Sequence, residues 1–196
     1  MMKFVSLAIC FATLMVLCSP VRAAEPAEKG SLVNPYRDEI MVMAKDLSKE
    51  YSKEQALVLS KIHGGFGMIR AVRLVKNDVA KAVKVCAQDN PDLAEKITAR
   101  FDQWNDGIEP LLVQNKERMN NAINDGGLPN EKKLKAYLDL IDKAAAHADS
   151  KIEKKIVSTP DACEGLIQSM DRTEPTMVEL LQNIKWPGAA AEKKEE

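Results

Sequence analysis

Two cysteines, two histidines and a short row of carboxylates are the side chains of this sequence with chemistry to offer. Cys86 and Cys163 are the only cysteines beyond the first 23 residues. Neither has a Cys-x-x-Cys neighbour of the kind that lowers a thiol pKa and makes a redox nucleophile, so they are expected to pair with each other as a structural disulfide. The bond would close a long loop, worth up to about 4 kcal/mol in the chain-entropy account. The histidines are His63 and His147. A di-iron bundle needs Glu three residues before each His, but Ser60 and Ala144 stand there. A covalent haem needs Cys-x-x-Cys-His, which is absent. A b-type haem held by His and Met, with Met41, Met43, Met68, Met119, Met170 and Met177 on offer, stays open as a carrier alternative. Asp102, Asp106 and Glu109 follow one another at helical spacing and could hold a divalent cation weakly. With no calcium loop around them, they read as solvated helix surface, and neither a metal nor a cofactor is expected.

The run His63-Gly64-Gly65-Phe66-Gly67 reads like an oxyanion loop of lipases and esterases. Such a loop works beside a Gly-x-Ser-x-Gly elbow on a strand-rich scaffold, and the sequence has no such elbow. It has no Gly-x-x-x-x-Gly-Lys phosphate loop either. A small hydrolase stays as an alternative, and a protein without catalytic activity is expected. Gly64, Gly67 and Ala71, three and four residues apart, predict a shallow strip for close helix packing, with a kink or hinge as the functional alternative.

Charge is unevenly distributed. Between Lys61 and Lys84 the basic residues Lys61, Arg70, Arg73, Lys76, Lys81 and Lys84 face a single acid, Asp78, whereas acids prevail from Pro91 to Asp125. The two segments could neutralise each other inside the fold. Alternatively, Arg70, Arg73, Lys81 and Lys84 form a binding surface for an acidic envelope protein, an anionic headgroup or another anionic surface. Without the first 23 residues the chain carries 26 basic against 29 acidic side chains. That balance, and two isolated tryptophans, argue against nucleic acid.

These residues must be positioned by helices. Apolar residues recur at spacings of three and four throughout, and no segment shows sustained strand alternation, so the chain is expected to be all-α. Asn34-Pro35 predicts the start of a first helix running to Ser48. A capping box of Ser52 and Gln55 opens a second, reaching Gln88. Asn90-Pro91 starts a third, which Pro110 should kink or divide before Gly126-Gly127. A fourth follows Asn130 to about Ser158, and Thr159-Pro160 opens a fifth. Pro175 should break that one and leave a last short helix to Trp186. Short connections make neighbours antiparallel, which predicts an up-and-down bundle of four main helices with short terminal helices and one disulfide.

The start of the chain bears on compartment. Lys3, the uncharged run from Phe4 to Cys18 and Val21-Arg22-Ala23 have the form of a secretory signal peptide cleaved after Ala23. The apolar run is short of the roughly 20 residues that span a bilayer. Residues 1–23 are thus read as the signal, 24–34 as a disordered leader, 35–187 as the helical bundle and 188–196 as a disordered charged tail. The expected product is periplasmic or secreted, has no membrane anchor once cleaved, and acts as a binding or interaction module in the cell envelope.

Overall fold

Helix-capping chemistry divides the chain where its polar residues allow. The computed structural model describes residues 34–155 and 158–188, which form five α-helices. The residues read as signal peptide, most of those read as leader and nearly all of those read as tail lie outside the described residues.

Asn34 bonds the first turn through its side chain, accepting from the Tyr36 N–H at 3.1 Å, and helix α1 (Arg37–Glu50) begins two residues later than Pro35 predicts. Helix α2 (Lys53–Asp89) opens on the expected capping box, with Ser52 Oγ accepting from the Gln55 N–H and Gln55 Oε1 from the Ser52 N–H. A single residue, Asn90, separates α2 from helix α3 (Pro91–Asp125). Its amide reaches Cys86 O at 3.1 Å and Ser158 O at 2.8 Å, so the turn is tied both to the end of α2 and to the approach to the last helix. Helix α4 spans Glu131–Asp149 and helix α5 spans Pro160–Gln182.

Three expectations need correction. Pro110 does not divide α3, and Pro175 does not break α5. A proline removes the bond to the carbonyl four residues back. Those carbonyls belong to Asp106 and Asp171, which are exposed like the two prolines, so water can satisfy them while the buried stripes continue. The predicted last short helix is therefore the end of α5, and residues 183–186 are not helical. Helix α4 stops well before Ser158. Ser150 Oγ bonds the His147 carbonyl, turns follow at Lys151 and Ile152, and Lys154 is drawn sideways to Asp78 and Asp149. Ile152, within the span predicted as helix, is exposed, so nothing there rewards another helical turn.

Helices α2, α3 and α5 pack mutually, while α1 pairs with α4 and α4 reaches α2 and α3. Chain direction alternates along the bundle. Asn34 meets Ala144 and Glu50 meets Lys133, so α1 and α4 are antiparallel. Cys86 meets Cys163 and Gly65 meets Trp186, so α5 runs antiparallel to α2. Arg100 ties α5 to α3 through Asp171 (2.5 Å) and Glu174 (2.6 Å). Trp104, Ile108, Leu47, Ile62, Leu134 and Leu181 are fully buried in one continuous core.

The predicted disulfide is present, with a Cα separation of 5.7 Å. It joins the last turn of α2 to the first turn of α5 and closes one end of the α2–α5 pair. The glycine run lies inside α2, but its close contact falls on Gly65 rather than on Gly64, Gly67 and Ala71. A Cβ at Gly65 would lie 2.5 Å from the Trp186 ring, whereas at Gly64 or Gly67 it would meet nothing described within 4 Å. The neighbour is an indole arriving after α5, not a helix backbone, so helical spacing alone could not point to it.

Candidate anion-binding cleft

Helices α2 and α5 are pinned together at the disulfide and again where Trp186 lies on Gly65. Between these points they leave a cleft of about 860 Å³. Helix α2 contributes Val75, Val79, Ala82 and Val85, whose spacing places them on one stripe. Helix α5 presents Ala162, Gly165, Leu166 and Ser169 at the same kind of spacing. The space exists because small residues stand where leucine would fill it. A Cβ at Gly165 would meet nothing described within 4 Å. The Ser169 hydroxyl is spent on the Gly165 carbonyl at 2.8 Å, so the α5 wall offers little unsatisfied polarity.

The rim is basic. Among the described residues Lys81, Lys154, Lys155 and Arg172 line it against one acid, Asp78. Lys154 bonds Asp78 at 2.7 Å and Asp149 at 2.8 Å, which ties the connection after α4 across the cleft mouth. The Lys154 hydrogen bond holds the Asp78 carboxyl below its ordinary range, and Asp149 followed by Asp78 raises the Lys154 ammonium above its own. Lys81 lies 3.6 Å from the same carboxylate and is largely exposed. Arg172 bonds only Ser169 Oγ, at 3.2 Å, and forms no ion pair among the described residues.

Of the four basic residues singled out from the sequence, Arg70, Arg73 and Lys81 line one groove and Lys84 is not among its lining residues. Arg73 forms a two-pronged pair with Asp142 of α4 at 2.7 and 2.8 Å. Arg70 is half-buried beside it, its Nε without a described partner. Both, with Lys81, line this groove between α2 and α4, which also holds Asp78, Asp142 and Asp149. Lys84 is exposed. Lys81 alone of the four reaches the α2–α5 cleft. Internal neutralisation is partial: Lys76 pairs with Glu109 at 2.5 Å, while the counterion of Arg73 comes from α4 rather than α3.

Sequence reasoning missed Lys154, Lys155 and Arg172 because they lie on other segments and converge only through the bundle. One signal was present: Ala162 and Gly165 are too small to complete an apolar stripe. The histidines make ring contacts, His63 with Tyr137 and His147 with Tyr36, both at 6.3 Å. Asp102 and Asp106 are exposed. Among the described residues no group of three His, Cys, Asp or Glu is placed to hold a metal, and no helix is long and apolar enough to cross a membrane. No family model matches the chain, and comparison with curated proteins and with solved structures finds no significant match.

Proposed function

We propose that this chain is an exported, non-catalytic binding protein of the cell envelope and that the α2–α5 cleft is its binding site, selective for ligands with an anionic group. One observation carries the reading: an apolar cleft of ligand size, within the roughly 300–1,000 Å³ usual for small-molecule sites, is rimmed by four basic side chains and one acid. Apolar walls supply affinity and the rim supplies sign selectivity and faster encounter. The signal-like start and a disulfide between the two remaining cysteines support export.

The test uses anilinonaphthalene sulfonate, an apolar dye with one fixed negative charge, on the full chain released from its leader. A single saturable site is expected, weakened by added salt because exposed rim charges are screened over about 8 Å at physiological ionic strength. Gly165→Leu should fill the cleft and abolish that site while the circular dichroism stays helical. Absence of a saturable site, or one indifferent to Gly165→Leu, refutes the reading. Release of a mature chain beginning at Ala24 into the periplasm or medium checks the compartment.

A further inference from the structure

The cleft is polarised along its length, and its polarity specifies a class of ligand. Cys86 stands opposite Cys163 and α5 runs antiparallel to α2, so Arg172, nine residues beyond Cys163, is level with Asn77 and Asp78, about nine residues before Cys86. Asp78 is where Lys154 and Lys81 converge. One end of the cleft is therefore basic. The other end is closed by the disulfide and lined by Val85 and Ala162. At the basic end Lys154 takes up Asp149 and shares Asp78 with Lys81, so Arg172, with no ion pair among the described residues, is the group that receives an anion from solution, with the largely exposed Lys81 beside it.

We infer that the cleft takes one free fatty-acid carboxylate, its headgroup at Arg172 and Lys81 and its alkyl chain running between α2 and α5 toward the Cys86–Cys163 bond. This rests on the reading of the cleft as an anion-binding site. The walls exclude other anionic classes. Nucleotides, sugars and extended peptides would bury donors and acceptors against Val75, Val79, Ala82 and Leu166, where nothing answers them, and unsatisfied buried polar groups are costly. Among the described residues no aromatic side chain lines the cleft to stack a planar ring. An alkyl chain has no such requirement. Arg172 is level with Asn77 and Asp78, and from there to Val85 α2 advances about 11 Å. An extended alkyl chain gains about 1.25 Å per bond at a carbon–carbon length near 1.5 Å, so about ten carbons reach from the rim to the disulfide.

The experiment measures displacement of the anilinonaphthalene sulfonate dye, and calorimetry, with octanoate, decanoate, dodecanoate and hexadecanoate kept below their aggregation limits. Affinity should rise about fourfold per methylene, the equivalent of about 0.8 kcal/mol, and level off near decanoate. Arg172→Glu should weaken dodecanoate at least tenfold, while dodecanol should bind both proteins equally. Gly165→Leu should lose the fatty acid with a melting temperature at or above that of the unaltered chain. If the dye binds at the Gly165-sensitive site but no carboxylate displaces it, the fatty-acid assignment fails and the anion-binding reading survives. If neither binds, both fail. Affinity independent of chain length, binding only to phosphatidylglycerol vesicles, or a dimer that Gly165→Leu dissociates would each overturn the proposal, the last two in favour of a bilayer surface or a second copy as occupant.

Discussion

Trp186 donates its indole N–H to Oδ1 of Asn115 at 2.8 Å, at a point where Asn115 is fully buried. The Asn115 amide in turn donates to the Leu111 and Leu181 carbonyls, both at 2.9 Å. Leu181 lies in the last turn of α5, where carbonyls lack helical partners, so one side chain of α3 satisfies both that helix end and the segment folding back from it. Asn115→Leu removes the partner but not the need, leaving a buried N–H and a buried carbonyl unanswered at about 1–3 kcal/mol each. Expected is a loss of about 2–4 kcal/mol in urea unfolding. Trp186→Phe, which deletes the indole donor, should make the further effect of Asn115→Leu smaller in a double-mutant cycle.

The Trp186 ring needs a bare helix surface, and Gly65 provides it. Gly65→Ala would place a methyl 2.5 Å from the ring, displacing the indole at a cost of about 1–3 kcal/mol through overpacking. Gly64→Ala and Gly67→Ala meet open space in the same helix and should each stabilise by roughly 0.5–1 kcal/mol, the ordinary gain of alanine over glycine in a helix interior. Thermal melts of the three variants decide the point. Equal stabilisation by all three would mean that Trp186 does not seat there.

Gly64, Gly65 and Gly67 also mark the limit of what could be read from the sequence. Their helix was legible, as were the Ser52–Gln55 cap, the Asn90-Pro91 turn and the cysteine pairing, because each depends on residues close in sequence or on a count of two thiols. Which glycine is compressed depends on a tryptophan 121 positions away that arrives outside any helix. The prolines misled because propensity ignores solvent: Pro110 and Pro175 are tolerated where the carbonyls they free face water. The candidate site was visible only in part. Lys81 stood in a basic cluster, but Arg172 joins it only through the packing of α5 on α2, and Lys154 only through the sharp exit from α4, where Ser150 competes for helical carbonyls and Asp78 captures a lysine from another segment.

Removing the Cys86–Cys163 bond should weaken the whole bundle and loosen the cleft in particular. The bond stands at the closed end of the cleft and constrains a long loop of the unfolded chain. Its loss in Cys86→Ala/Cys163→Ala should cost about 2–5 kcal/mol. Hydrogen exchange should then rise most around Asn90 and the first turn of α5, since Asn90 bonds both Cys86 O and Ser158 O. The unaltered protein should show no free thiol until it is unfolded and reduced. A titratable thiol in the native mature chain would contradict the bond.

The Asp78–Lys154 bridge sets the pH range in which the cleft mouth is held. Asp78 is depressed below 3.8 in the fold, chiefly by its hydrogen bond from Lys154. Its contribution is therefore present above the unfolded value and is lost as pH falls through the lower folded value. Lys154 is raised above 10.5, first by Asp149 and then by Asp78, so its contribution is complete below 10.5 and is lost as pH rises through the higher folded value. Between these limits the bridge is intact. As pH falls below 3.8 through the lower folded value, protonation of Asp78 removes one of the two carboxylates holding Lys154, and the connection carrying Lys154 and Lys155 should exchange amide hydrogens faster than the helices flanking it. Asp78→Asn should produce that local opening already at neutral pH and flatten its acid dependence, with little change in global melting because the pair is partly exposed and screened by water. It should also strengthen dodecanoate binding, since it removes the one acid at a basic rim. Weaker binding would mean that Asp78 positions Lys81 or Lys154 for the ligand rather than merely neutralising them.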